Sequence, residues 1–368
     1  MLDGGQEQVL APRWEDFVRG SWVPLALMVA LPATARAETV REQSQRTVEI
    51  QGINRIVAQN SRGRIGVRAS ADKSLHITAL KIVRASSEDA ARRLAEDTVV
   101  ELRRDGSEYE IQVRYPHSSS HINLWENMGE LTIPRIEVRL ALEVPSGVAV
   151  ELDGASADLD GEGLKAPLTL HSASGDADLH ACVGDIQIST ASGDVTIEGS
   201  RTVTVTTVSG DVHVSTTRGP LRIRTGSGDV AIGDLDDSLA VETTSGDVTV
   251  GHAPSGATIT TSSGGISLRH AAGRIRAHAV SGDVKAVLEP PLRGAEIVTS
   301  SGEIGVGLED AVGCALELRT SSGSLDIGVP CRTQTLTRQL VSAVVRQGTT
   351  PVVLRSVSGD ITVTRGEP

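Results

Sequence analysis

The sequence predicts an all-β protein, a parallel β-helix or β-solenoid with coils of about 18 residues and two strands per coil, plus an N-terminal β-rich cap with one helix. Three observations support this fold class. A Ser-Gly-Asp tripeptide recurs at regular intervals, pairs of aliphatic residues alternate with polar ones between its copies, and residues 126–368 contain no aromatic residue. Because aromatic side chains normally fill a globular core, their absence indicates a thin interior of aliphatic side chains.

The repeat is marked by its turns. Starting from Ser156, the serine recurs after 18, 18, 17, 18, 18, 18, 18, 20, 21 and 36 residues, and we interpret the last interval as two periods with one degenerate coil near Leu340. Glycine permits the positive φ that closes such a turn. Variant copies begin at Ser263, Ser301 and Ser322. The predicted structural turns are Ser174, Gly175, Asp176, Ser192, Gly193, Asp194, Ser209, Gly210, Asp211, Ser227, Gly228, Asp229, Ser245, Gly246, Asp247, Ser281, Gly282, Asp283, Ser358, Gly359 and Asp360.

Each coil is predicted to contain two short strands. The third and fifth residues after a turn serine are aliphatic, as in Val195 and Ile197, and a second pair precedes the next serine, as in Val203 and Val205. This alternation is typical of strands with one buried face. Because no single coil can bury its own face, we expect the coils to stack in register about 4.8 Å apart.

Residues 1–37 are predicted to be a signal peptide. Their apolar segment, 23–33, is followed by the small-x-small cleavage site Ala35-Arg36-Ala37, so the mature chain is expected to begin at Glu38. The apolar segment is too short to span a bilayer, so we expect no transmembrane span in the mature chain. Acidic side chains precede it where a signal peptide carries positive ones. We therefore expect translation to start at Val18, with a long acidic leader as the alternative.

Residues 38–150 lack the clean repeat and are predicted to form a β-rich capping region. The solenoid repeat region is assigned to 151–368, with regular rungs over about 156–364. A capping box, Ser86-x-x-Asp89, marks the start of the helix. A bulky cap of this kind protects the open edge of a first coil. The predicted elements are a helix over about 87–98 and strands over 47–51, 65–69, 75–80, 99–103 and 108–114.

The segment Leu142-Glu-Val-Pro-Ser-Gly-Val148, followed by SGDV turns with TxxSGDV spacing, resembles the bacterial putative-adhesin domain of unknown function. The resemblance covers about residues 45–365. It implies a β-helical extracytoplasmic protein and brings no catalytic residues with it. The chain departs from the pattern at 328–350, where regular stacking is not expected.

The composition restricts the classes of partner. The chain has 35 Lys and Arg against 47 Asp and Glu, and its net charge of −12 argues against nucleic acid and anionic membrane surfaces. We expect no catalytic residues, no bound metal and no cofactor, because GxSxG, HExxH and phosphate-loop motifs are absent.

The predicted function is that of a non-enzymatic, exported envelope or surface protein, periplasmic or secreted, that binds an envelope protein or a surface glycan. Its binding residues are not assigned. One alternative is a polysaccharide-active enzyme built on a β-helix, and another is a component of an envelope-stress sensor.

The turn aspartates form a ladder of like charges. Asp176, Asp194, Asp211, Asp229 and Asp247 occupy five consecutive coils. At the spacing of stacked coils, each neighbouring pair repels by about 1 kcal/mol in water. We expect each carboxylate to accept a hydrogen bond from the backbone of its own turn. A ladder of Ca²⁺ sites is the alternative.

The three cysteines are too few for a disulfide framework. Cys314 and Cys331 lie 17 residues apart, about one coil, a separation compatible with a disulfide. Two buried thiols are the alternative. Cys182 lies about seven coils away and cannot join them.

Two further clusters of side chains are candidate sites. His252 and His270 are 18 residues apart and should stack on neighbouring coils, as solvated residues or as a weak metal or pH-sensitive pair. Four arginines form a small basic patch whose expected partner is a neighbouring acidic turn, with an external anion as the alternative. They are Arg201, Arg218, Arg222 and Arg224.

The repeats end at Val363, close to the end of the sequence. We expect the last strand, 361–363, to lie at an open edge where its backbone groups lack partners. Residues 333–350 are expected to fold over this end as a cap, which favours a monomer. The alternative is a dimer formed through the edge strand.

Overall fold

The computed structural model describes residues 38–116 and 134–368. The predicted signal peptide and the expected start at Val18 lie outside these residues. Within the described residues, the region before the first turn serine contains one helix and seven strands, the last of which runs past that serine. These elements are β1 (Glu38–Glu49), β2 (Arg55–Ser70), β3 (Ser74–Ala85), α1 (Glu88–Asp97), β4 (Val99–Asp105), β5 (Glu108–Arg114), β6 (Arg135–Pro145) and β7 (Ala149–Glu162).

The regular part of the solenoid follows. Its strands are β8 (Leu168–Ser172), β9 (Ala177–His180), β10 (Asp185–Ser192), β11 (Val195–Glu198), β12 (Thr202–Ser209), β13 (Val212–Thr217), β14 (Leu221–Ser227), β15 (Val230–Leu235), β16 (Leu239–Ser245), β17 (Val248–Ala253), β18 (Ala257–Ser263), β19 (Ile266–Ser281), β20 (Val284–Ser301) and β21 (Ile304–Leu308). The C-terminal strands are β22 (Cys314–Ser322), β23 (Leu325–Ile327), β24 (Cys331–Leu336), β25 (Leu340–Val345), β26 (Thr350–Ser358) and β27 (Ile361–Arg365).

The predicted solenoid is confirmed between β7 and β21, where coils stack in sequence order. Strands that precede the turns pair in parallel with one another, and we call this sheet the first wall. Strands that follow the turns pair in parallel in the same way and form the second wall. The register is that of the repeat, since Val195 is opposite Val212, which is opposite Val230.

The interior is the thin aliphatic layer that the alternation predicts. The inward residues Val195, Ile197, Val203 and Val205 are each at most 1% exposed. They belong to one hydrophobic core that continues from the cap to the last coil. Stacking therefore provides the burial that no coil could provide alone.

The stack begins earlier in the chain than the motif predicts. β2 pairs in parallel with β7 along most of its length, from Arg55 opposite Ala149 to Arg68 opposite Glu162, so β2 is a complete coil. β5 and β6 pair in parallel with its two halves and form the coil beyond it. The predicted start of the regular rungs near residue 156 is therefore wrong. The motif could not reveal the β2 coil, because Arg62-Gly63-Arg64 replace Ser-Gly-Asp at its turn.

The remaining N-terminal elements cover the first coil. β3 pairs antiparallel with β6, β1 with β3, and β4 with β5. The predicted helix is confirmed as α1, which packs Ala91 and Ala95 against Val83 and Ala85 of β3. Its N-cap is Ser87, one residue later than the predicted capping box, and the Ser87 hydroxyl accepts the backbone N–H of Ala90.

The C-terminal coils stack out of sequence order. β26 pairs in parallel with both β20 and β22, and β27 pairs in parallel with both β21 and β23. The last coil of the sequence therefore lies between the coils of Ser301 and Ser322. The prediction that strand 361–363 lies at an open edge is wrong. Because all coils have the same inward pattern, that pattern does not determine which coil lies next to which.

Residues 331–345 form a hairpin instead of a degenerate coil. β24 and β25 are antiparallel, and β25 also pairs antiparallel with β22. The interval of 36 residues is therefore not two periods, and no coil is centred on Leu340. The hairpin covers the end of the first wall, so the predicted cap is present. The strand that it covers is β22 and not the last strand of the sequence.

Candidate functional site

The first wall presents its outward side chains in straight columns. Because successive strands are parallel and in register, one outward residue from each coil lies beside the same position of the next coil. We name two columns after the residues Glu151 and His171. The His171 column, in stacking order, contains Gln59, Asp153, His171, Ser189, Thr206, Arg224, Glu242, Thr260, His278, Val298, Arg355 and Arg319. The Glu151 column contains Glu151, Thr169, Gln187, Thr204, Arg222, Ala240, Thr258, Arg276, Glu296, Val353 and Glu317.

The first wall is the broader of the two sheets in the regular coils. Its strands β10 and β12 each have eight residues, whereas the neighbouring second-wall strands β9 and β11 each have four. The two columns are mostly hydroxyl, amide and charged side chains. They form a flat surface on which hydrogen-bonding groups recur at every coil.

Three metal-ligating side chains meet at the N-terminal part of this surface. The ligand atoms of Glu151, Asp153 and His171 all lie within 4.8 Å of one another. Glu151 and Asp153 are two residues apart on β7 and so share a face, and His171 is opposite Asp153 on β8. The sequence prediction of no metal ligands missed this group. The signal that could have found it is the spacing of Asp153 and His171, which are 18 residues or one period apart and therefore stack on neighbouring coils.

Neighbouring side chains hold these carboxylates in place. Gln59 donates a hydrogen bond of 3.2 Å to Asp153, and Gln112 donates one of 3.2 Å to Gln59. Arg55 donates a hydrogen bond to Glu151 and lies 3.6 Å from Glu108. The hydrogen bond to Glu151 raises the pKa of the Arg55 guanidinium.

The turn aspartates connect neighbouring coils. The Asp176 carboxylate accepts the backbone N–H of Asp194 at 2.9 Å, and the Asp194 carboxylate accepts that of Asp211 at 2.9 Å. The expectation that each carboxylate caps its own turn is therefore wrong, since the hydrogen bond goes to the next coil. Residues without a carboxylate at this position still donate the same bond from their backbone N–H. Gly265 donates to Asp247 at 2.7 Å and Ser324 donates to Asp360 at 2.7 Å.

The turn glycines allow the coils to approach closely. Gly246 has a φ of +125°, in the region that favours glycine. A Cβ at this position would lie 2.1 Å from the carbonyl oxygen of Gly228 in the preceding coil. The conformation and the close contact together require glycine in this turn.

The histidine and arginine clusters have local partners. His252 and His270 stack on neighbouring coils as predicted, with ring centroids 6.1 Å apart, and the His270 Nδ1 forms a hydrogen bond with Glu289. In the basic patch, Arg224 donates to Glu242 at 3.1 Å. The partner of Arg224 is thus an acidic side chain on a strand of the first wall and not the acidic turn that was predicted.

The three cysteines are free thiols, and the predicted Cys314–Cys331 disulfide is absent. Cys314 and Cys331 both pair with Val345, from opposite sides of β25. Two strand spacings, about 9.6 Å, therefore separate them, which exceeds the reach of a disulfide. The expectation failed because β24 belongs to an antiparallel hairpin and not to the next coil. Burial raises the pKa of the Cys314 thiol to about 11.

In the described residues, no helix is both long enough and apolar enough to cross a membrane.

Comparison with known proteins gives one family and several similar structures. The family model described as Toastrack DUF4097 matches residues 37–254 and 218–364. A putative adhesin from Parabacteroides distasonis ATCC 8503 is 10% identical, with 73% of this chain and 97% of that chain covered and a TM-score of 0.39. A putative lipid binding protein from the same organism is 12% identical, with 88% and 97% covered and a TM-score of 0.31. A putative cell adhesion protein from Clostridium sporogenes ATCC 15579 is 9% identical, with 89% and 100% covered and a TM-score of 0.25. None of the curated proteins compared with the chain matches it.

Proposed function

Because this chain belongs to the Toastrack DUF4097 family, we propose that it is an exported, non-enzymatic binding scaffold of the bacterial envelope or cell surface. Its ligand is a surface glycan or an envelope protein, and the first wall is the surface that binds it. The β-solenoid fold and the sequence resemblance to the putative-adhesin domain both support this proposal.

The observation that carries the proposal is the pair of outward columns on the first wall. Side chains such as Gln187, Thr204 and Thr206 present hydroxyl and amide groups at intervals of about 4.8 Å along the stack. An extended ligand can form many similar hydrogen bonds with such a surface without entering a deep pocket. Each bond contributes only about 0.5–1.5 kcal/mol, so binding would depend on repetition along the wall.

Export is supported by the sequence of residues 1–37, whose apolar segment and small-x-small cleavage site are typical of a signal peptide. Glu38 is the residue that follows the predicted cleavage site. The exported protein is expected to start at this residue. N-terminal sequencing of the protein recovered from the periplasm or the medium tests this, and recovery of the chain only from the cytoplasm contradicts export.

Binding is tested with two matched double variants. Thr206→Glu with Thr260→Glu adds charge to the first wall, and Thr196→Glu with Thr249→Glu adds the same charge to the second wall. All four threonines lie on strands with their side chains outward. We expect the wild-type chain and the second-wall variant to bind the same members of a panel of bacterial polysaccharides, purified peptidoglycan and purified envelope proteins, and the first-wall variant to lose that binding.

Three results contradict the proposal. Equal loss of binding in both double variants would show that the first wall has no special role. Release of new reducing ends from a bound polysaccharide would show that the protein is a polysaccharide-active enzyme. Binding to no member of the panel by the wild-type chain would also count against a scaffold for these ligands.

A further inference from the structure

The group formed by Glu151, Asp153 and His171 has the composition of a metal site. Its ligand atoms lie within 4.8 Å of one another, and they come from two adjacent strands whose register is fixed by backbone pairing. In a tetrahedral Zn²⁺ site the ligand atoms lie about 3.3–3.6 Å apart, as follows from metal–ligand distances of 2.0–2.2 Å. Small rotations of surface side chains therefore suffice to bring these atoms to a common ion.

The local charge favours a cation. Two carboxylates, those of Glu108 and Glu151, pair with the Arg55 guanidinium, and the Asp153 carboxylate adds a third negative charge nearby. The carboxylates of Glu151 and Asp153 are close enough to repel each other, and a divalent ion between them removes this repulsion. The Gln59 amide fixes the orientation of Asp153, as groups around a metal site commonly do for the ligands.

The donor atoms indicate which ion fits. Imidazole nitrogen together with carboxylate oxygen suits Zn²⁺, whereas Ca²⁺ and Mg²⁺ take oxygen ligands almost throughout. We propose that Glu151, Asp153 and His171 bind one Zn²⁺ ion on the first wall, with the remaining coordination position open to solvent. This inference does not depend on the identity of the ligand that the wall binds.

The chain offers a matched control for the histidine. His278 occupies the same column of the first wall as His171, but its neighbours across the strands are Thr260 and Val298 and not a carboxylate. A general affinity of exposed histidines for Zn²⁺ would affect both positions equally. A specific site at His171 would not depend on His278.

The test is isothermal titration of the purified chain, without a polyhistidine tag, with ZnCl₂ at pH 7.5. We expect one Zn²⁺ per chain at the site, a loss of affinity of about 10-fold or more in His171→Ala and in Asp153→Asn, and no change in His278→Ala. Zn²⁺ should also raise the unfolding temperature of the wild-type chain and of His278→Ala, but not that of His171→Ala, since an ion that binds only the folded state stabilises it.

Three results would overturn the assignment. The first is a dissociation constant of the wild-type chain for Zn²⁺ above about 1 mM. The second is Zn²⁺ binding by His171→Ala as tight as that of the wild type, and the third is a loss of affinity in His278→Ala equal to that in His171→Ala. Circular dichroism and the unfolding temperature without metal should be unchanged in every variant, because His171 is exposed and Asp153 is only half-buried.

Discussion

The carboxylate of Asp194 accepts a hydrogen bond of 2.9 Å from the backbone N–H of Asp211, 17 residues later and one coil further along the stack. The same bond joins Asp211 to Asp229 at 2.8 Å and Asp229 to Asp247 at 2.9 Å. The acidic residue of the repeat therefore connects each turn to the next one. It offsets the repulsion between stacked carboxylates with a charge-assisted hydrogen bond at each step.

Removing one carboxylate from this ladder should loosen the turn of the following coil. Asp194→Ala is expected to cost about 1 kcal/mol and to speed hydrogen exchange at the Asp211 amide, which loses its acceptor. Asp194→Asn keeps an acceptor oxygen and is the matched control, so its exchange should stay close to that of the wild type. Unchanged exchange at Asp211 in the alanine variant would contradict the ladder.

The turn glycines should be far less tolerant than glycines in open turns. Gly246→Ala combines a backbone conformation that costs about 1–3 kcal/mol for other residues with a Cβ placed 2.1 Å from the Gly228 carbonyl oxygen. Gly147→Ala has a φ of +94° but no atom within 4 Å of the new Cβ, so it incurs only the backbone cost. Thermal unfolding should show the larger loss for Gly246→Ala. Equal losses would mean that the coils are not in close contact at this turn.

The last step of the ladder should depend on pH. Hydrogen bonds from Ser324 lower the pKa of Asp360 below its ordinary value of 3.8. A carboxyl group with a depressed pKa in the folded state stabilises the fold above its unfolded pKa, and this contribution disappears as the pH falls through the folded pKa. Wild type should therefore be more stable than Asp360→Ala at pH 6, and the difference in unfolding temperature should shrink between pH 4 and pH 2. A difference independent of pH would contradict this role.

The packing of the last coils can be tested with two equivalent residues. Ile361 and Leu325 are opposite each other on neighbouring strands, but Ile361 is fully buried whereas Leu325 is partly exposed. Ile361→Ala is expected to cost about 2–5 kcal/mol, as for a large-to-small change in a core. Leu325→Ala should cost clearly less, since β23 is the last second-wall strand among the described residues. If Leu325→Ala were the more destabilising change in urea unfolding, the last strand of the sequence would be the outer one.

The sequence predicts the fold well where the same pattern of aliphatic and polar residues repeats in every coil. Aliphatic alternation has period two in a strand, so the inward positions of Val195 and Ile197 follow directly from the pattern. The register also follows, because a slip of one residue would bury the polar side chains. The helix and most strands of the cap were predicted for the same local reasons.

The features of the fold that the sequence could not predict are those that depend on which coils are neighbours. β2 joins the stack although residues 62–64 lack the motif, and β26 inserts before β22 although it follows β22 in the sequence. Both arrangements bury the same kinds of residue as the sequential order would. The separation of Cys314 from Cys331 was missed for this reason, since it depends on strand pairing. The Glu151, Asp153 and His171 group lies on consecutive coils, and the 18-residue spacing of Asp153 and His171 is the signal that could have found it.

The most direct test of the account is the order of the coils at the C-terminal end, where β26 lies between β20 and β22 instead of after β22. Ser358 is opposite both Ser301 and Ser322. Neighbouring strands place residues about 4.8 Å apart, so a disulfide can link Ser301→Cys to Ser358→Cys, whereas Ser301→Cys and Ser322→Cys are about 9.6 Å apart. Peptide mass spectrometry after mild oxidation should show the 301–358 link in the first double variant and no 301–322 link in the second. Formation of the 301–322 link without the 301–358 link would show that the coils follow sequence order and would contradict the account.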